Sequence, residues 1–81
     1  CKADAAVLRT PNVLVQGDHY YSRGCHSAAA EKLGETVAKR PEWLDVRYRL
    51  ARSLYFSGQP QPAIDQVQAI LDTLRARDQK R

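Results

Sequence analysis

Only two cysteines, one tryptophan and one phenylalanine occur among the 81 residues, and methionine is missing even from position 1. No apolar run approaches the roughly 18 residues that cross a bilayer, so nothing reads as a membrane-spanning helix. The alternation of polar and apolar residues that marks a half-buried strand is nowhere found, which excludes a β fold. There is no glycine-rich phosphate loop, dinucleotide fingerprint or paired-carboxylate motif, so no enzyme class is indicated and no cofactor is expected. Asp18-His19 and Cys25-His26 are the only clusters with metal-ligand or nucleophile chemistry. Without a second cysteine pair or a spaced histidine pair they do not make a zinc site. Sequence neighbours also diverge in direction, so Cys25 and His26 are not expected to act as a thiolate and its base.

What is present suits one small folded domain: 43% hydrophobic and 27% charged residues, with a net charge of +4. Cations mostly alternate with acids, except at the end, where Arg75, Arg77, Lys80 and Arg81 face only Asp78. A solvated helix end accounts for that cluster through the helix dipole. A basic nucleic-acid-binding surface is the competing reading, and it rests on charge alone.

The main signal is an internal repeat at a shift of 34 residues. Gly17 pairs with Ala51, Tyr20 with Leu54, Gly24 with Gly58, Ala29 with Ala63 and Leu33 with Val67. Local signals predict four helices. Thr10-Pro11 reads as an N-cap followed by proline at the first helical position, with Gly24 closing that helix in a left-handed conformation. Ser27 is expected to cap the second, which Arg40-Pro41 halts. The third spans about Trp43 to Ser57, and Gln59-Pro60-Gln61-Pro62 turns into the fourth. That last helix has the cleanest amphipathic stripe: Ala63, Ile64, Val67, Ile70, Leu71 and Leu74.

Gly17, Tyr20, Gly24, Ala29, Leu33 and Pro41, and again Ala51, Leu54, Gly58, Ala63 and Val67, occupy the motif positions of the tetratricopeptide repeat. The chain resembles that family over about nine-tenths of its length. The resemblance implies an all-α fold of two tandem helix–turn–helix repeats, four antiparallel helices forming a solenoid fragment. Residues 1–9 would be a flexible segment or tether; residues 10–81 would form the domain, with repeats at about 10–43 and 44–81. Small residues at 17 and 51 would face Ala29 and Ala63 and let paired helices approach closely. Gln16 and Thr36 depart from the motif, and Arg75 stands where the second closing proline belongs. The second repeat is therefore expected to be the better formed.

The resemblance also implies function: a scaffold that binds another protein or peptide, alone or within a multi-subunit complex, and not an enzyme. In the family, the first helix of each pair lines a groove. The corresponding positions here include Asp18 and Tyr21 from the first helix and Tyr48, Arg52 and Tyr55 from the third. Tyr and Arg contribute most at protein interfaces, because they join large contact area to hydrogen-bonding tips. The last helix has no capping helix after it in this sequence, so dimerisation or docking through it or through the first helix is expected. Cys1 carries a separate expectation. A chain beginning with cysteine resembles a bacterial lipoprotein anchored at that residue, whereas a Cys1–Cys25 disulfide would also suit an envelope or secretory compartment. An arbitrary chain boundary, with a cytoplasmic adaptor or chaperone subunit behind it, is the alternative.

Overall fold

The computed structural model describes residues 1–2 and 5–79. Every regular element among them is a helix: α1 Ala5–Leu8, α2 Val13–Ser22, α3 His26–Lys39, α4 Leu44–Phe56 and α5 Pro60–Gln79. Each helix packs on its neighbour in the chain, α1 on α2, α2 on α3, α3 on α4 and α4 on α5. The result is a flat row, with principal extents of 46 × 26 × 16 Å.

The turns after α2 and α4 are the same object. Gly24 and Gly58 both take positive φ, +75° and +85°, a conformation that costs other residues more because of their Cβ. The N–H of Gly24 donates to the Tyr21 carbonyl at 3.1 Å, and that of Cys25 to the Tyr20 carbonyl at 2.9 Å. Gly58 to Tyr55 at 3.1 Å and Gln59 to Leu54 at 2.9 Å repeat both bonds at the 34-residue shift. This paired closure satisfies two helix-end carbonyls that would otherwise lack partners.

Helix starts differ from the sequence expectation. Asn12, not Thr10, caps α2, its side-chain oxygen accepting from the N–H groups of Leu14 and Val15. Thr10 instead belongs to the end of α1, where its hydroxyl donates to the Ala6 carbonyl. Ser27 is not a cap either: α3 begins two residues earlier, behind Cys25, whose carbonyl accepts from the Ala29 N–H. Pro60 and Pro62 do not form a loop but occupy the first turn of α5, where a missing N–H removes no helical bond. Residues 1–9, expected as a tether, contain α1, which packs on α2, and Cys1, which is bonded to Cys25.

The buried cluster lies between α3 and α4: Ala29, Ala30, Leu33 and Val37 meet Val46 and Leu50. Leu14, Tyr20, Tyr21 and Leu54 cover its edges. Gly17 is the tight point between α2 and α3, where an added Cβ would lie 2.9 Å from Leu33 Cδ2. The atoms nearest that position all belong to Leu33. α3 buries Ala29, Ala30, Leu33, Thr36 and Val37, whereas α5 buries Ala63 alone among its described residues. The two polar departures of the first unit are accommodated: Thr36 is buried with its hydroxyl donating to the Lys32 carbonyl, and the Gln16 amide donates to the Thr10 carbonyl at 2.7 Å.

Candidate functional site

The five groove residues expected from the sequence separate into two groups. Tyr48, Arg52 and Tyr55 come together on α4, spaced so that one helical face presents all three. With Phe56, and with Ile64 and Val67 of α5, they line a notch of about 380 Å³ whose wall is almost wholly apolar. Tyr55 is 62% exposed and Ile64 57% exposed, so these side chains meet solvent rather than a neighbouring helix. The Arg52 guanidinium lies 5.7 Å from the centre of the Phe56 ring, within cation–π range. Phe56 in turn meets Tyr55 edge-on, at 5.3 Å between ring centres.

Asp18 and Tyr21 are not part of this notch, which corrects the expectation of one continuous surface. Tyr21 is half-buried against the core cluster. Asp18 forms an ion pair with Arg49, reaching from α2 to α4. Arg49 also donates to Asp45 one turn earlier on its own helix, at 3.5 Å. The Asp18 carboxylate is therefore a strut between helices.

Arg52 differs from Arg49. Among the described residues no carboxylate pairs with it. It is a cation at the edge of an apolar notch.

The sequence reading singled out the α4 half of the notch and missed Ile64 and Val67 as site residues. The sequence places them in the amphipathic stripe of a helix expected to dock, without singling them out. In the structure that stripe divides: Ala63 is buried and Ile70 half-buried, while Ile64, Val67, Leu71 and Leu74 are exposed along α5.

Cys1 and Cys25 form a disulfide with their Cα atoms 5.8 Å apart. Of the two readings of Cys1, lipid anchor or disulfide, this is the cross-link. The same bond removes Cys25 as a thiolate beside His26. The His26 ring packs instead near Phe56, at 5.1 Å between centres. Among the described residues no group of three or more His, Cys, Asp or Glu side chains is arranged to hold a metal ion. No described helix is long and apolar enough to cross a membrane. Of the basic cluster at the end, Arg75 and Arg77 are exposed on the last turns of α5, while Lys80 and Arg81 lie outside the described residues.

Comparison with protein-family models, with curated proteins and with solved structures found no match to this chain.

Proposed function

We propose that this chain is a tetratricopeptide-like scaffold, two antiparallel helix–turn–helix units in tandem, that holds another protein through the α4–α5 face. The observation that carries the reading is the contrast between equivalent surfaces. Leu33 is fully buried, whereas Val67, its partner at the 34-residue shift, is 42% exposed. The identical bonding at Gly24 and Gly58 supports the tandem arrangement. An apolar notch ringed by aromatics and one unpaired arginine has the composition of a recognition surface, and Tyr and Arg are the usual anchors there.

The Cys1–Cys25 disulfide favours an oxidising compartment, for which the periplasm or the outer-membrane face is the bacterial case. A photo-crosslinking residue in place of Tyr55 or Ile64 should capture one discrete protein in the native cell. The same residue in place of exposed Glu42, away from the notch, should not. Equal capture at both positions would break the proposal.

A further inference from the structure

The 34-residue repeat says more about the notch than that it is open. Moved back by one repeat, Tyr48, Arg52, Tyr55, Ile64 and Val67 become Leu14, Asp18, Tyr21, Ala30 and Leu33. In the first unit that surface is occupied. α4 lies on it, with Val46 and Leu50 in the same buried cluster as Ala30 and Leu33. Between those two apolar residues Arg49 reaches Asp18. The protein therefore contains a worked example of what its own notch receives, with one difference. Where the occupied seat presents an acid, Asp18, the open seat presents a base, Arg52.

We propose that the α4–α5 notch seats an amphipathic helix of another protein, running as α4 runs and setting an acidic side chain against Arg52. The helix would carry two aliphatic residues four apart, in the register of Val46 and Leu50, with the acid in the register of Arg49. This deepens the scaffold reading above, and rests on it, by stating the partner's chemistry. The described part of α5 supplies no such helix. It continues through Leu74-Arg75, the counterpart of Arg40-Pro41 where α3 stops, to Gln79. A second copy does not meet the pattern in that direction. No acid in this sequence has Val, Ile or Leu both three residues before it and one after it. Asp18 has only Val15, and Asp45 only Val46.

The test uses the occupied seat as its template. The probe is a peptide of residues 43–57 of this chain, stapled through positions 48 and 52 so that it stays helical and loses Tyr48 and Arg52 of its own notch. It is made with Arg49 and with Arg49→Glu. The Arg49→Glu peptide should bind the protein about tenfold more tightly than the Arg49 peptide, since attraction replaces repulsion at a partly exposed pair. In an Arg52→Asp protein the order should invert. Ile64→Glu should abolish binding of both peptides. Arg52 and Ile64 are exposed, so both variants should keep the parent circular dichroism spectrum. Nuclear magnetic resonance shifts on binding should fall on the Val67 methyls and not on those of Leu33.

An affinity indifferent to the peptide's charge, an order that does not invert with Arg52→Asp, or shifts centred on Leu33 would overturn the proposal. No peptide binding, together with concentration-dependent sedimentation of the protein, would make the notch a self-interface. That would end this proposal while leaving a protein-binding role standing. No peptide binding together with no crosslinked partner at Tyr55 would end both.

Discussion

Helices α3 and α5 occupy the same place in the two halves of the sequence and meet opposite fates. Ala30, Leu33 and Val37 of α3 are buried beneath α4. Their counterparts Ile64, Val67 and Leu71 stand open along α5. Both stripes have the same period, and the open one is the bulkier at two of three positions. Apolar content alone therefore does not make a core. What makes it is a second surface to close on, and only α3 has one within the described chain. A stripe more apolar than its buried twin, yet uncovered, is hard to explain by folding of this unit and easy to explain by association.

The sharpest way to test that contrast is to truncate the two equivalent residues. Leu33→Ala removes a fully buried side chain and leaves a cavity at the α2–α3–α4 junction, so it should cost about 2–5 kcal/mol. Val67→Ala, at a residue 42% exposed, should cost less than about 1 kcal/mol. Denaturant titration of both variants measures the difference. Equal costs would mean that α5 is covered in solution, most simply by a second copy, and a concentration series would show it.

Reduction of the disulfide is the next effect in size, and it falls on the first unit alone. The Cys1–Cys25 bond ties the chain's start to the turn between α2 and α3, at a sequence separation of 24. In the chain-entropy model closing such a loop contributes about 3 kcal/mol. A reductant, or a Cys1→Ser/Cys25→Ser double variant, should lower the denaturation midpoint by a matching amount. Hydrogen exchange should then quicken in α2 before α5. Faster exchange in α5 first would mean that the cross-link supports the whole row rather than the first unit.

How much of this could be read beforehand follows from how local each signal is. Gly24 and Gly58 were legible because a left-handed residue ending a helix is a one-residue requirement. The two turns then came out alike down to their bonds. The start of α2 was misplaced because Thr10-Pro11 and Asn12 are adjacent capping signals. The competition was settled by Asn12, whose carbonyl oxygen reaches two N–H groups. The Tyr48–Arg52–Tyr55 face was legible as a helical spacing. The fate of Asp18 was not, because it depends on Arg49, which lies on a different helix and is 31 residues away. Ile64 and Val67 belong to a stripe whose docking role is expected for the helix as a whole, since a stripe looks the same at its covered and its open residues.

A smaller effect concerns the close approach inside each half. Gly17 faces Leu33 with no room for a methyl, since its added Cβ would also lie 3.2 Å from the Leu33 backbone nitrogen. In the second half the corresponding pair is Ala51 and Val67, both lining the notch. A methyl has moved from one partner to the other, from Leu to Ala, and the pair's total size is kept. Gly17→Ala should therefore cost about 1 kcal/mol net, the overpacking penalty exceeding the gain in helix propensity. Adding Leu33→Val to Gly17→Ala should recover part of that loss by rebuilding the second half's pair in the first. A double variant no better than the single would mean that the two crossings differ in geometry as well as in side chains.

The smallest expected effect runs against the usual direction. Ser53 is fully buried, with 0% of its surface exposed, and its hydroxyl oxygen has no hydrogen-bond partner. Its counterpart one repeat earlier is His19, which is half-buried. A buried hydroxyl without a partner costs desolvation and returns nothing, so its removal costs little. Alanine also has the better helix propensity. Ser53→Ala should leave stability unchanged or raise it by up to about 1 kcal/mol, read as an increase in denaturation midpoint at constant slope. A loss above about 1 kcal/mol would show that the hydroxyl has a hydrogen-bond partner in solution.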